Sequence, residues 1–200
     1  MPSLHLHSSG IPNLLPMENR SPGVHLSDLI HKVCIECGHY EEHTDDIDPE
    51  TGEMSEDLQT LLQVGCAFET ALIIRYSQQY PGLYIQPGEI TLDGIHITAD
   101  LMNLAPDPRY PDLSHKITEV KCTYMSSAED PLGPKFWRIR AQLMAQCLAW
   151  KTLVGQIAIL HVDGDYRGRR KPVFNVWELE FSIQELRENW ALLRSYRDSL

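Results

Sequence analysis

Apolar residues recur at helical spacing along two long stretches of the chain. The first covers residues 55–80 and is followed by a Pro-Gly pair, which is a stop signal for helices. The second covers residues 135–153, with apolar side chains on one stripe and polar side chains on another. Shorter patterns predict a helix over residues 25–33 and a final helix from Ser182 onward.

Five shorter apolar runs predict strands between these helices. They cover residues 83–90, 94–102, 116–124, 154–164 and 172–181. The first three are joined by a Leu92-Asp93-Gly94 turn and a proline-rich loop, which predicts a β-meander. The order of elements predicts a fold of the α/β class, more narrowly α+β, in which a central mixed sheet of about five strands is flanked by helices.

One compact domain is expected to account for most of the chain. Two hundred residues with 42% hydrophobic content suffice for one core and hardly for two. Residues 1–22 lack any periodicity, and an acidic stretch follows the first short helix. We therefore expect residues 1–54 to form a flexible N-terminal arm with a short helix and an acidic loop, and residues 55–200 to form the folded domain.

The negative charge is concentrated in one segment. The formal net charge is -11, but residues 41–57 hold nine of the 28 acids and no Lys or Arg, which leaves 19 acids against 17 bases elsewhere. The bases cluster in two places, Lys135-Arg138-Arg140 and Arg167-Arg169-Arg170-Lys171. A local positive surface can therefore form, and the net charge does not exclude DNA as a substrate.

Targeting signals and disulfides are not expected. No apolar run is long enough to cross a bilayer, and the start of the chain lacks the basic and apolar regions of a signal peptide. The five cysteines are an odd number and are scattered through predicted helices and strands, which argues against a disulfide framework. These features predict a soluble protein of a reducing compartment, the cytoplasm, without a membrane partner.

A cysteine pair near the N-terminus leaves a zinc site as an alternative. Cys34 and Cys37 have C-x-x-C spacing, and His31, His39 and His43 are nearby in the sequence. No second C-x-x-C or H-x-x-x-H pair completes a zinc-binding pattern at the usual spacing. Zinc binding is therefore the less favoured interpretation of these residues.

Three charged residues are predicted to meet on the sheet. Because side chains alternate along a strand, Glu119 and Lys121 lie on the same side of the predicted strand 116–124. On the strand before it, the apolar residues 95, 97, 99 and 101 form one face, which leaves Asp100 on the other face. If the two strands are antiparallel neighbours, Asp100 meets Glu119 across the ladder.

This combination of side chains indicates metal-dependent hydrolysis. Two neighbouring carboxylates repel each other unless a cation lies between them, and oxygen ligands without Cys or His select Mg²⁺, with Mn²⁺ as a substitute, over Zn²⁺. The ammonium of Lys121 is well placed to stabilise a phosphate or to orient an attacking water beside the ion. These requirements are those of phosphodiester hydrolysis.

Residues 55–180 resemble the PD-(D/E)xK nuclease superfamily, in particular its RecB-like and lambda-exonuclease-like branches. Ala99-Asp100 corresponds to the Pro-Asp of the family motif, and Glu119-Val120-Lys121 corresponds to its (D/E)xK. The stretch Gly65 to Glu69 resembles a glycine-to-glutamate segment on the first helix, and Gln142 resembles a glutamine on the second. The resemblance implies a restriction-endonuclease-like core, in which a helix precedes a three-stranded meander, a second helix and a further strand.

The same resemblance implies a role for each matched residue. A metal ion is implied to be bound by Asp100, Glu119 and the Val120 carbonyl. Glu69 is implied to support this ion or a second one. Lys121 is implied to assist the attacking water, and Gln142 to position either the substrate or Lys121. The chain departs from the pattern at Ala99, which replaces proline, and at Gln146, where many RecB-like members have tyrosine. No cysteine follows Cys147, which argues against the iron-sulfur cluster of some members.

Further residues are candidates for contact with DNA. Arg138 and Gln146 share a stripe with Gln142 and form either a solvated face or a phosphate-binding one. Arg167, Arg169 and Arg170 lie in a turn that is either a simple hairpin tip or a loop that grips phosphates. His96 shares the face of Asp100, although a hydrogen-bonded structural role is favoured for it.

The preferred interpretation is a DNA exonuclease of phage-type recombination or DNA processing that leaves 5′-phosphate products. If the chain is phage-encoded, the compartment is the cytoplasm of the host cell. By analogy, a single-strand annealing protein is implied as a partner, and a homo-oligomer is a further expectation. The alternatives are a structure-specific or restriction-like endonuclease with the same site, and a non-catalytic DNA-binding module of the same fold.

Overall fold

The computed structural model describes residues 21–37, 55–106, 108–109, 115–165 and 171–197. Its helices are α1 (Leu26–Glu36), α2 (Glu56–Gln79), α3 (Trp137–Ala149) and α4 (Ile183–Arg197), and a short 3₁₀ helix (Pro134–Phe136) precedes α3. Its strands are β1 (Val24–His25), β2 (Tyr84–Ile85), β3 (Ile90–Leu92), β4 (Ile95–Ile97), β5 (Leu101–Asn103), β6 (Lys116–Thr123), β7 (Val154–His161) and β8 (Val173–Glu180). The predicted helices are confirmed within a few residues.

The main sheet has five strands in the order β2-β5-β6-β7-β8. The pair β6 and β7 is parallel, and the other neighbours are antiparallel. Because parallel neighbours need a crossover, α3 lies between β6 and β7 in the chain and returns over one face of the sheet. The predicted α+β fold with a mixed five-stranded sheet is confirmed.

Helices cover both faces of this sheet. On one face, α2 packs its apolar side chains against Leu101, Val120 and Ala158. On the other face, α3 packs against Ile157 and Ile159 of β7 and against Ile117 of β6. Residues 117 and 120 therefore point to opposite faces, and the side chain of Glu119 points to the face covered by α3.

The predicted strand 94–102 is wrong as a single element. Residues 95–97 form β4 of a separate three-stranded sheet with the order β1-β4-β3, and residues 101–103 form β5 of the main sheet. Between them the chain leaves one sheet and enters the other at Thr98–Asp100. The predicted strand 83–90 is likewise divided, because Pro87 and Gly88 lie between β2 and β3. The hairpin between β3 and β4 turns as predicted, with positive φ at Asp93 (50°) and Gly94 (77°).

The short N-terminal elements are packed against the rest of the molecule. Val24 and His25 of β1 pair in parallel with Ile95 and His96 of β4. The apolar face of α1 lies in a core cluster with β4, α3 and α4, and Leu29, for example, is fully buried there. Within the described part of the chain, no helix combines the length and apolarity that a membrane span requires.

Candidate active site

Asp100 lies at the point where the chain enters the main sheet. Its Oδ2 accepts a hydrogen bond from the backbone N–H of Val120 at 2.8 Å. Within the described residues, β5 pairs with β6 only from Lys116 to Thr118, so the edge of β6 beyond Thr118 is open on this side. Because the N–H and C=O of one strand residue point to the same edge, the Val120 carbonyl also faces this opening.

Glu119 is fully buried, and its two carboxylate oxygens make different contacts, a hydrogen bond at Oε2 and an ion pair at Oε1. Oε2 accepts a hydrogen bond from Nε2 of Gln146 at 2.7 Å, and Oε1 lies 2.5 Å from Nζ of Lys121. Gln146 also donates to the carbonyl oxygen of Thr98 at 2.9 Å. A buried charge is tolerable only with such partners, so the carboxylate is held in one orientation.

Lys121 connects β6 with α2. Its Nζ lies 3.5 Å from Oε1 of Glu69, which α2 brings from the opposite face of the sheet to the open edge. The Lys121 and Glu69 side chains are about one quarter exposed, at 28% and 27%, whereas Glu119 lies behind them with no exposure. The exposed side of the cluster is therefore the side of Lys121 and Glu69, and a ligand can approach from there.

The site carries more negative than positive charge. Burial, together with repulsion from Asp100, raises the pKa of Glu119, and Lys121 and Gln146 oppose that rise. Burial also raises the pKa of Glu69, again with a contribution from Asp100. Burial alone lowers the pKa of Lys121, but the three carboxylates outweigh it and hold this pKa above its usual range. The lysine is therefore an ammonium at neutral pH.

The donor chemistry fits a hard divalent ion, although no metal cage is preformed. Asp100, Glu119, Glu69 and the Val120 carbonyl offer only oxygen, which is the ligand type that Mg²⁺ and Mn²⁺ prefer. Across the described ranges, no three His, Cys, Asp or Glu side chains are arranged to hold a metal ion. The ammonium of Lys121 instead lies against Glu119, where it neutralises part of the negative charge.

The two glutamines of α3 differ in burial and in contacts, and the predicted role of Gln142 stays a prediction. Gln146, predicted to touch DNA, is fully buried against Glu119 and Thr98, so this prediction is wrong. Gln142 is half-buried one turn earlier, and the polar contact to Glu119 comes from Gln146 instead. The sequence signal for Gln146 was its spacing of four residues from Gln142, which places both on one stripe of the helix.

The other candidates lie away from this cluster or outside the described residues. Arg138 is exposed at the start of α3, and its contact with DNA stays a prediction. Arg167, Arg169 and Arg170 fall outside the described residues, as do His39, His43 and most of the acidic segment.

Two further candidates from the sequence were the Cys34-Cys37 pair, as a zinc site, and His96, as an active-site residue. Cys34 of α1 is buried in a core cluster, whereas Cys37, which directly follows the helix, is exposed. Nδ1 of His96 donates a hydrogen bond to Oε1 of Glu89 at 2.9 Å, and its ring stacks on His25 at a centroid distance of 5.0 Å. These contacts give His96 a structural role in the small sheet.

Several solved structures are similar to this chain in fold. They are a protein designated SSO0001 (13% identity, TM-score 0.48, covering 90% of this chain and 76% of that chain), an alkaline exonuclease (LHK-Exo) from Laribacter hongkongensis (13%, 0.45, 75% and 71%) and a phage related exonuclease from Haemophilus somnus 129PT (14%, 0.44, 90% and 95%). No protein-family model and no curated protein matches the sequence. The chemistry of this chain must therefore be argued from its own residues.

Proposed function

We propose that this chain is a Mg²⁺-dependent deoxyribonuclease that hydrolyses phosphodiester bonds in DNA. One observation carries the proposal. Asp100, Glu119 and Glu69 converge from three different elements at an open sheet edge, and one ammonium, that of Lys121, lies among them. A surplus of carboxylate oxygens beside a fixed cation is what binding of a divalent ion and of a phosphate requires.

Each residue of the cluster has a distinct task in this proposal. Asp100, Glu119, Glu69 and the Val120 carbonyl would hold the ion. A bound Mg²⁺ supplies an activated water and neutralises charge on the phosphate. Lys121, which stays charged, orients the water or binds a phosphate oxygen from the solvent-exposed side. Gln146 fixes the orientation of the Glu119 carboxylate and so acts as a positioning residue.

An exonuclease that leaves 5′-phosphate products is the more specific form of the proposal. It is supported by the motif resemblance, in which Glu69 and a glutamine on α3 accompany the Asp and Glu-x-Lys residues. A role in phage-type recombination, an annealing-protein partner and a homo-oligomer extend this proposal by analogy. Each of them depends on cleavage being demonstrated first.

The decisive experiment compares linear duplex DNA with covalently closed circular DNA, in Mg²⁺, in Mn²⁺ and in EDTA. The informative variant is Asp100→Asn, which can still accept the Val120 N–H but loses the charge. Its matched control is Asp130→Asn, because Asp130 also accepts a backbone N–H, that of Leu132 at 2.9 Å, in an exposed loop. We expect linear DNA to be degraded only with a metal ion present.

The variants should separate clearly. Asp100→Asn should lose more than about 100-fold in rate, the upper end of the loss seen when only a supporting partner of a ligand is removed. Asp130→Asn should cleave as the wild type does. Equal cleavage by Asp100→Asn refutes the site. Cutting of circular DNA favours the endonuclease alternative, and DNA binding without cleavage in either metal favours the non-catalytic module.

A further inference from the structure

The two edges of the main sheet differ in length. One edge is β2, which has two residues and is soon followed by Pro87, and such a short edge gives a further strand little to bind. The other edge is β8, which has eight residues, Val173–Glu180, and contains no proline. Natural proteins usually cover or interrupt an edge of this length, because its backbone groups bind further strands.

The backbone groups that face outward at this edge belong to the even-numbered residues of β8. The N–H of Phe181 donates to the carbonyl of Leu153 at 2.8 Å, and this pair continues the antiparallel register of β7 and β8. In an antiparallel ladder, residues that bond to the neighbouring strand alternate with residues whose N–H and C=O point away from it. The residues that point their backbone groups to the outer edge are therefore Phe174, Val176, Glu178 and Glu180.

Two of these residues also carry exposed apolar side chains. Phe174 is 42% exposed and Val176 is 48% exposed. Both side chains lie on the face of the sheet that α2 covers, where the ring of Phe174 contacts that of Phe68 at a centroid distance of 6.1 Å. Apolar side chains beside outward-pointing backbone groups favour association with another strand, since cross-strand pairs bury both.

The charges at the two ends of β8 favour a second copy of the same strand. The basic sequence Arg169-Arg170-Lys171 comes shortly before β8, and the exposed Glu180 ends it. Antiparallel pairing of two copies places the start of one strand beside the end of the other, so that opposite charges meet at both ends. Parallel pairing in register would place like charges side by side, which is unfavourable.

We propose that two copies of this chain pair through β8, antiparallel and about a two-fold axis at Asn175, so that their five-stranded sheets become one continuous sheet. In this register Phe174 lies opposite Val176 of the second copy, and Glu180 lies opposite the residue before its Lys171. The contact uses the same patch twice and therefore closes after two copies. The proposal goes beyond the proposed function and is independent of DNA cleavage, because it is argued from the edge of β8.

Sedimentation equilibrium of the full chain measures the association. We expect a mass of twice the 22.9 kDa of one chain. Val176→Lys places a charge at the centre of the interface, and it should raise the dissociation constant of the dimer at least about tenfold. Val64→Lys makes the same change at a valine of α2 that is 44% exposed, and it should associate as the wild type does. Circular dichroism establishes that both variants are folded.

A cysteine at Asn175 tests the register. The odd-numbered residues bond to β7, so Asn175 and its copy form a non-hydrogen-bonded pair, with Cα atoms about 4.5 Å apart. A disulfide spans this distance. Asn175→Cys should therefore form a covalent dimer with oxidised glutathione. Val173→Cys, on the same face of β8, is the control, because its two copies would lie roughly 14 Å apart. Both are made in a Cys37→Ser background, since Cys37 is the exposed native cysteine.

The outcomes separate the proposal from its alternatives. Dimers that Val176→Lys weakens and that only Asn175→Cys links support pairing through β8. A wild-type chain that stays monomeric, or that forms a trimer or a larger ring, overturns the proposal. So does a dimer that Val64→Lys weakens as much as Val176→Lys does. Linking of Val173→Cys as readily as Asn175→Cys overturns the register.

Discussion

Two lysines of the same strand lie in opposite kinds of charge cluster. Lys116, at the start of β6, donates to Oε2 of Glu178 at 2.8 Å. Glu178 also accepts hydrogen bonds from Arg109 and from Gln156. In this cluster two cations therefore face one carboxylate. The protein's own side chains neutralise the negative charge of Glu178, which is typical of a structural contact.

Lys121, five residues further along, has the reverse balance. It contacts Glu119 and Glu69, and Asp100 is close enough to contribute to the pKa shifts of both acids. Three carboxylates therefore face one ammonium. The excess negative charge can be relieved by a further cation, which is why the proposed function places the active site at this cluster.

The difference follows from where the strand pairing ends. Lys116 pairs with Asn103 of β5, and from Ile117 onward β6 also pairs with β7 on its other side. Beyond Thr118, only β7 pairs with it within the described ranges, and Asp100 takes the place of a strand by accepting the N–H of Val120. An interrupted strand thus creates room for a ligand, whereas a completed ladder fills the same space with protein.

Replacing the two lysines should give the largest contrast. Lys121→Met should lower the rate of DNA cleavage by about 10³-fold, because a positioned cation beside the reacting group is lost. Lys116→Met removes a similar side chain from the structural cluster and should stay within a few-fold of the wild type. Initial rates on linear duplex DNA measure both. Similar losses in the two variants would show that the clusters are not functionally different.

Metal binding should stabilise the protein through the Lys121 cluster alone. At Mg²⁺ concentrations about 100 times the dissociation constant, the free energy of unfolding should rise by about 2.7 kcal/mol. Asp100→Asn should abolish this rise, whereas Glu178→Gln should retain it. Thermal melts with Mg²⁺ and with EDTA measure the effect. A rise that survives in Asp100→Asn but is lost in Glu178→Gln would show that the ion binds at the Glu178 cluster and not at the Lys121 cluster.

The glutamines of α3 sharpen the description of the site. Gln146→Leu removes the hydrogen bond to Oε2 of Glu119 and should weaken Mn²⁺ binding about tenfold or more. Gln142→Leu should have the smaller effect of the two, because Gln146 makes the contact with the carboxylate. Mn²⁺ titration followed by electron paramagnetic resonance measures both affinities. A larger effect of Gln142→Leu would contradict the assignment of Gln146 as the residue that positions Glu119.

In the metal-free protein, ionisation of Glu69 and ionisation of Glu178 should change the free energy of unfolding in opposite directions. The pKa of Glu69 is raised, chiefly by burial, so its ionisation destabilises the fold; this cost decreases as pH falls through the folded-state pKa and is gone below the unfolded-state pKa. Burial opposes ionisation of Glu178, but Lys116 and Arg109 hold its pKa below the usual value. Its stabilising contribution is present above the unfolded-state pKa and is lost as pH falls through the folded-state pKa.

Urea unfolding in EDTA from about pH 7 to about pH 4 measures this smallest effect. Relative to the wild type, Glu69→Gln should be more stable at the higher pH, and Glu178→Gln should be less stable. Both differences should shrink as pH falls. Differences of the same sign in the two variants would contradict the opposite charge balance of the clusters.

Local patterns in the sequence predicted most of the elements. The helical spacing before Pro81 gave α2, and the alternation along residues 116–124 put Glu119 and Lys121 on one side of β6. The start of α4 has a local cause as well: the N–H of Ser182 donates to the Glu185 carboxylate, and the Ser182 hydroxyl accepts from the Glu185 N–H. These features depend only on residues within a few positions of one another.

Contacts between distant parts of the chain were predicted less well. The alternation of residues 95, 97, 99 and 101 indicates one strand, but the chain changes sheets at Thr98–Asp100, and these residues enter three different core clusters. Similarly, the stripe of α3 contains both glutamines. Which of them meets Glu119 depends on how far α3 extends across the sheet.

The sequence by itself determined the types of element and the charged residues that they carry. Only the tertiary structure decided that Glu69, Asp100 and Glu119 surround one ammonium, and that β5, which begins just after Asp100, does not pair with β6 as far as Val120. The reason is physical. Periodicity reports which side of an element is buried, whereas the meeting of side chains that are far apart in the sequence depends on which elements pack together and where their pairing ends.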